Sequence, residues 1–183
     1  QRRQSIRRRA ADLMRLINGL LDIARLENQR MPIKQQPVAA GALIESAWQG
    51  LESSITEAEI TVELVTAEDL PLLNVDRDLI RRVLVNLIDN AVRYTPSGKK
   101  ILISADYDRD QQLTISVEDS GPGIPVADRE RVFEQYRQST HKPLRGSNGT
   151  GLGLSFCKLA VEAHGGRIWA EASSVLPGAR ICI

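Results

Sequence analysis

Cysteine is scarce: Cys157 and Cys182 are the only two in 183 residues. Two thiols so far apart make neither a metal-ligand set nor a disulfide framework, and they read as reduced side chains of a cytoplasmic protein. Charge of one sign is missing as well. The 24 Lys and Arg nearly balance the 23 Asp and Glu, leaving a formal net charge of +1, so no electrostatic reason exists to expect nucleic acid as a partner. No apolar run reaches the length of a membrane span, and the Arg-rich start (Arg2, Arg3, Arg7, Arg8, Arg9) lacks the apolar stretch of a secretory leader. That start reads as a solvated helix face. The expected placement is cytoplasmic, whether free or as the cytoplasmic portion of a larger, membrane-anchored protein. Histidine is limited to His141 and His164, and no Gly-Lys-Ser/Thr follows any glycine cluster, which excludes a P-loop.

What is present is an ordinary globular composition, 42% apolar and 26% charged, enough for one well-buried domain and an appendage. Glycine, however, is unevenly spent. Six of the 13 glycines fall between Asp119 and Leu154. They form two clusters, Asp119-Ser120-Gly121-Pro122-Gly123-Ile124-Pro125 and Gly146-Ser147-Asn148-Gly149-Thr150-Gly151-Leu152-Gly153-Leu154, separated by a polar segment too poor in apolar residues to pack as core. Glycine at this density marks backbone that takes unusual dihedrals or lies close to something else. Two such turns around a polar segment suggest a nucleotide cradle with a lid.

The chain around this stretch divides into recognisable elements. Residues 2–30 read as one proline-free helix, with Ile6, Ala10, Leu13, Ile17, Leu20 and Ala24 at heptad spacing and Leu16 and Ile23 starting a second stripe. Two apolar seams call for two helical neighbours, as in a four-helix bundle, and no other long heptad segment in the chain supplies them. Met31-Pro32 ends this helix, giving expected domains at 1–31 and 32–183. Ile33 to Val38 is a short strand or linker ending at Pro37, and residues 40–55 an amphipathic helix. Ile60, Val62 and Leu64 alternate as a strand, followed by another at 72–75. Asp76 is placed to cap a helix from Arg77 to Tyr94 that buries Leu79, Ile80, Val83, Leu84, Leu87, Ile88 and Ala91. Strands are expected at 101–107 and 113–118, a helix at 151–163 closed by His164-Gly165-Gly166, and strands at 167–172 and 179–183. Helices and strands interleave without βαβ regularity. The pattern predicts an α+β two-layer sandwich, a mixed, mostly antiparallel sheet covered by helices on one face, preceded by one long helix.

Three motifs carry chemistry. Asn86 and Asn90 lie four apart on one helical face. An amide oxygen suits Mg²⁺, which takes few protein ligands, although two surface amides on an amphipathic helix would read the same way. Asp119 ends an apolar strand, and its carboxylate, an acceptor only, can take a hydrogen from an adenine amino group while penalising a carbonyl there; an Asx-turn is the alternative. Gly121 and Gly123 would let backbone approach the base. Gly149-Thr150-Gly151-Leu152-Gly153 runs directly into a helix, whose first N–H groups and dipole suit a di- or triphosphate.

In order and spacing these elements resemble the ATP-binding domain of sensor histidine kinases, within the superfamily shared with gyrase, Hsp90 and MutL ATPases, and the resemblance covers almost the whole chain. Asn86 to Pro96 resembles the N box, Asp119 to Pro125 the G1 box, Val132 to Tyr136 the F box and Gly149 to Leu154 the G2 box. Leu16 to Glu27 resembles the end of the second helix of the dimerisation and phosphoacceptor domain. The resemblance implies a Bergerat-type fold that binds ATP and Mg²⁺. It implies that Asn90 holds Mg²⁺ and Arg93 adds positive charge at the phosphates, that Tyr94 and Ile124 bracket the adenine and that Asp119 reads its amino group. Gly149, Thr150, Gly151, Leu152 and Gly153 would hold the phosphates. The loop to Gly149 would be a lid anchored by Phe133, with Arg137, Lys142 or Arg145 reaching the γ-phosphate. Asn86 stands where ATPase members carry a water-activating Glu, and an amide cannot take that proton, so transfer to a protein acceptor is favoured over hydrolysis. The implied partners are a histidine-bearing dimerisation helix, a response-regulator receiver domain and a second copy through the N-terminal helix. Neither His141 nor His164 sits in an acceptor motif. The chain therefore reads as a fragment starting at the second helix, a protein histidine kinase that does not phosphorylate itself.

Overall fold

The computed structural model describes residues 14, 17–28, 30–67, 69–107, 112–137, 141–145 and 150–183. Helix α1 is described over 17–27; the heptad positions Ile6, Ala10, Leu13 and Leu16 lie outside the described residues. After it come β1 (Gln36–Ala39), α2 (Ala40–Gln49), α3 (Glu52–Glu57), β2 (Thr61–Thr66), β3 (Leu72–Val75) and α4 (Arg77–Tyr94). The second half holds β4 (Lys100–Tyr107), β5 (Leu113–Glu118), two short 3₁₀ turns (Val126–Asp128 and Arg131–Phe133), α5 (Gly153–Glu162), β6 (Trp169–Ala172) and β7 (Ala179–Cys182).

Five strands form one sheet in the order β2-β4-β5-β7-β6. Only the β2–β4 pair is parallel, and that pairing needs a long crossover, which β3 and α4 provide. β1 and β3 make a separate antiparallel ribbon. Pro37 sits inside β1 rather than ending it, tolerated because β1 pairs on one side only and one N–H can be spared. The expected helix over 40–55 is broken in two: Gly50 caps α2, and Leu51, at φ −118° and ψ 4°, leaves helical geometry before α3 begins.

α4 organises the core because its apolar residues repeat at helical spacing. All seven of the expected core positions are buried, Val83, Leu84 and Ile88 completely. They face Ile101, Ile103, Ala105, Ile115 and Val117 of the sheet and Phe156, Ala160 and Val161 of α5. Each buried Val, Leu, Ile or Phe among them contributes roughly 1.5–3 kcal/mol before entropy is counted. β2 departs from expectation: Leu64 is 49% exposed, since an edge strand receives cover from the helical layer only at its start.

Two features of α1 depart from a helix waiting for helical partners. Ile23 and Leu26 are buried in the core shared with the sheet-and-helix domain. Asp22 pairs with Arg82 of α4 at 2.5 Å, and Gln135 donates to Glu27 at 2.5 Å. The second seam of α1 is thus satisfied from within the chain, where partly buried Met31 also packs. Ile17, Leu20 and Leu21 remain exposed.

Candidate nucleotide site

α4 starts where it does because Asp76 caps it. The carboxylate Oδ1 accepts from the N–H groups of Asp78 and Leu79, both at 3.1 Å, and Oδ2 accepts from Lys34 N at 3.0 Å. Partial burial alone would raise the Asp76 carboxyl, but these three N–H donors and the neighbouring His164 outweigh it and hold it below the ordinary Asp range. His164 Nε2 in turn accepts from Asp76 N at 3.0 Å, while its Nδ1 lies 2.7 Å from Ala160 O. This ties the end of α5 to the start of α4, the structural role expected of a turn residue.

With α4 anchored, its far half presents Asn90 and Tyr94 to a cavity. β5 runs out at Glu118 and delivers Asp119 to the same cavity, and the following turn adds Pro122, Gly123, Ile124 and Pro125. Asp128, Val132 and Arg137 from the lid base, Leu154 from α5, and Ala179 and Ile181 from β7 complete the wall. The lining is largely apolar, with convergent polar groups, as small-molecule sites usually are.

Asp119 is held by backbone. Its Oδ1 accepts from Gly121 N at 2.8 Å and Ala179 N at 3.3 Å, and its own N–H donates to Ala179 O at 2.9 Å. The Asx-turn is therefore real, and it uses one oxygen; among the described residues Oδ2 accepts nothing. Burial pushes this carboxyl above the ordinary Asp range, the two backbone donors offsetting only part of the effect. The alternatives of turn residue and ligand reader are compatible, one oxygen for each.

The other expected residues are distributed as follows. Asn90, Tyr94, Asp119, Gly123 and Ile124 share the cavity. Gly121 stands behind it and contributes its N–H to Asp119. Asn86 lies under α5: a Cβ on Gly153 would sit 4.0 Å from its Oδ1, and its side chain neighbours the buried Cys157 thiol, which donates to Val83 O at 3.7 Å. That thiol is pushed up to about 12 by burial. Arg93 lies outside the cavity wall, its Nε 2.9 Å from Asp89 Oδ2. Gly149 lies outside the described residues. Thr150 Oγ1 accepts from Leu152 N at 3.3 Å, and the Leu152 side chain is core, 4% exposed, leaving only its backbone for a ligand. Gly151 has φ +71°, and a Cβ there would come within 2.7 Å of the Tyr136 backbone, whose N–H donates to Gly151 O at 3.0 Å. The two ends of the lid are stitched together at a position only glycine fits. Leu152, the N-cap of α5, has no side-chain acceptor, in contrast to Asp76 of α4, so among the described residues the α5 N-terminus retains donors for an anion.

Of the expected lid cations, Arg137 pairs with Asp128 at 3.1 Å. Arg145 turns away to the C-terminal end of α4, where it donates to the carbonyls of Val92 (3.1 Å), Thr95 and Ala58 (2.9 Å), while Leu144 N donates to Arg93 O at 2.9 Å. A guanidinium there satisfies carbonyls a helix leaves open. Lys142 is exposed. Phe133 is 7% exposed, anchored beside α5. Sequence reasoning missed the β7 wall, Ala179 and Ile181, because small and apolar strand residues carry no chemical signature; only the pairing of β5 with β7 reveals them.

A capped core helix, a mixed sheet and a strand-end carboxylate lining one cavity with Leu154 of the first turn of α5 are the features of a nucleotide-binding domain. Residues 75–183 match the histidine kinase-, DNA gyrase B- and HSP90-like ATPase family, and the chain belongs to it. Within that family it is an ATP-binding catalytic domain of the histidine-kinase type. The adaptive-response sensory kinase SasA of Synechocystis sp. is 32% identical over 158 residues, covering 86% of this chain and 41% of that protein. Full-length ShkA in complex with AMPPNP superposes with a TM-score of 0.83 at 26% identity, covering 98% of this chain and 36% of that one. The histidine kinase ThkA in complex with the response regulator protein TrrA gives a TM-score of 0.71 at 25% identity, covering 94% of this chain and 47% of that one. The chain thus spans less than half the length of each.

Proposed function

We propose that this chain binds Mg-ATP and serves as the kinase module of a two-component sensor, passing the γ-phosphoryl group to a histidine on a dimerisation helix and thence to an aspartate of a response regulator. The observation that carries the reading is Asp119: one carboxylate oxygen is spent on backbone, and the other is left in a largely apolar cavity beside Tyr94 and Ile124. An unengaged, desolvated acceptor selects a ligand with an amino group and rejects one with a carbonyl.

Asn90 is the hard oxygen donor suited to Mg²⁺. Among the described residues no group of His, Cys, Asp and Glu could hold a metal by itself, which fits an ion that takes most of its ligands from phosphate and water. When bound, Mg²⁺ would neutralise charge on the phosphates during transfer. The uncapped α5 orients the phosphate chain, and Arg93, close by on α4, adds positive charge. Asn86 cannot act as a general base, so transfer to a protein acceptor is favoured over hydrolysis. Of the two histidines, His164 is engaged at both ring nitrogens, and His141 lies in the lid. The pairing of ThkA with TrrA supports a receiver domain as the downstream partner.

Calorimetry with AMPPNP and Mg²⁺ tests binding, with saturable one-to-one binding expected and no heat above dilution contradicting the reading. Incubation with γ-labelled ATP separates a kinase module lacking its acceptor from an ATPase. The expected result is neither acid-labile label on this chain nor rapid phosphate release; fast release would favour an ATPase instead.

A further inference from the structure

We propose that Glu118 and Ser173 are positioning residues for Asp119 and that, through it, they set the preference for adenine over guanine. The inference rests on the nucleotide reading above and deepens it.

β5 alternates, so Ile115 and Val117 enter the core while Glu118 projects to the opposite face of the sheet. Glu118 is nonetheless 3% exposed, and a buried carboxylate is costly unless it is partnered. Its partners come from the end of the chain. Ser173 Oγ donates to Oε2 at 2.5 Å, and Arg180 Nε lies 3.6 Å from Oε1. Arg180 is shared with Glu171, 3.5 Å away on β6. The three charged groups lie side by side across β5, β7 and β6 because the strand register puts them there.

Ser173 is the node. Its hydroxyl has one hydrogen to donate and two lone pairs to accept with, and all three are used: Glu118 takes the hydrogen, and the N–H groups of Val175 (3.2 Å) and Leu176 (2.7 Å) fill the lone pairs. Ser173 N donates to Gly178 O at 3.3 Å, closing the loop over 173–178 on itself. The loop's last residues then bear directly on Asp119. A Cβ at Gly178 would fall 2.1 Å from Asp119 Oδ1 and 2.2 Å from its carbonyl oxygen, so no side chain fits there. Ala179 N supplies one of the two hydrogen bonds to Oδ1. From Glu118 through Ser173 to Gly178 the contacts form a bracket that begins one residue before Asp119 and returns to its carboxylate. It holds Oδ1 and so leaves Oδ2 as the oxygen that meets the base. A carboxylate free to turn, or to admit water, would lose much of its discrimination between an amino group and a carbonyl.

The test uses this chain with AMPPNP and GMPPNP at fixed Mg²⁺, measured by calorimetry alongside thermal melts. Wild type is expected to prefer AMPPNP by roughly 100-fold or more. Ser173→Ala should lose about tenfold in AMPPNP affinity and narrow the preference by a similar factor, and Ser173→Thr, which keeps the hydroxyl, should restore both. Glu118→Gln, which keeps the shape, should narrow the preference if Ser173→Ala does not fold. A folded Ser173→Ala or Glu118→Gln that retains the full preference, with only its melting temperature lowered, overturns the bracket alone. Wild type with no preference overturns the adenine reading first and the bracket with it.

Discussion

Asp119 holds a turn with one oxygen and, on the function proposed above, meets the base with the other, and burial makes both roles measurable. With Oδ1 bound to backbone and Oδ2 facing the cavity, Asp119→Asn can keep the turn through its amide oxygen while presenting a donor where the ligand also donates. Loss of a charge-assisted hydrogen bond worth roughly 1.5–3 kcal/mol should weaken AMPPNP binding about 10- to 100-fold in calorimetry. The variant should remain folded; unchanged affinity would remove Asp119 from its role. The raised carboxyl sets the sign of two pH effects. With Oδ1 taken by two backbone donors, protonation places a hydrogen on Oδ2 and weakens it as an acceptor, so wild-type affinity should fall as pH drops through a value above the ordinary Asp range, and Asp119→Asn should not show that fall. For stability the direction reverses. The buried charge costs stability at neutral pH, so wild type should gain relative to Asp119→Asn as pH falls through the raised folded value, the gain being complete below the unfolded pKa of about 3.9.

Among the elements, α4 was the most legible in the sequence and the lid the least, for physical reasons. The apolar residues of α4 repeat at helical spacing behind an Asp cap, so propensity, pattern and capping agree, and its bounds and buried face emerge as read. The 40–55 segment also had a helical pattern, but Gly50 and Leu51 break it because local spacing says nothing about a glycine C-cap. Ile23 was visible as part of a seam, whereas its burial against the sheet-and-helix core, with Leu26 beside it, was not, since contacts distant in sequence leave no local trace. In the site, the carboxylate and the glycines announced themselves. The β7 wall, the Asp128–Arg137 pair and the docking of Arg145 on the end of α4 did not, being products of pairing and chain reversal. The cap itself is testable. Asp76→Ala removes the acceptor of three N–H groups and should cost about 1–2 kcal/mol in denaturant titration at neutral pH. Because the folded carboxyl is depressed, its contribution is present above the unfolded value near 3.9 and is lost as pH falls toward the depressed one. The gap between variant and wild type should therefore close in acid, and a gap independent of pH would deny the carboxylate its role.

At the scale of the whole molecule, the chain is a nucleotide-binding domain with a helix leaning on it. One side of α1 is spent on the core through Ile23 and Leu26, and on Arg82 and Gln135 through Asp22 and Glu27. Ile17, Leu20 and Leu21 on the same helix stay 38–50% exposed, an arrangement that suits a second copy or a histidine-bearing helix. Light scattering at micromolar concentration should show a dimer, shifting toward monomer when Ile17, Leu20 and Leu21 are changed together to Glu; a monomer before substitution would contradict the pairing. For the cavity, the most direct measurement is a crystal structure of this chain with Mg²⁺ and AMPPNP. Asp119 Oδ2 should lie within hydrogen-bonding distance of the adenine amino group, the Asn90 amide oxygen should bind the metal, and the first N–H groups of α5 should meet the phosphates. Nucleotide density elsewhere, or a purine turned with its amino group away from Asp119, would contradict the account.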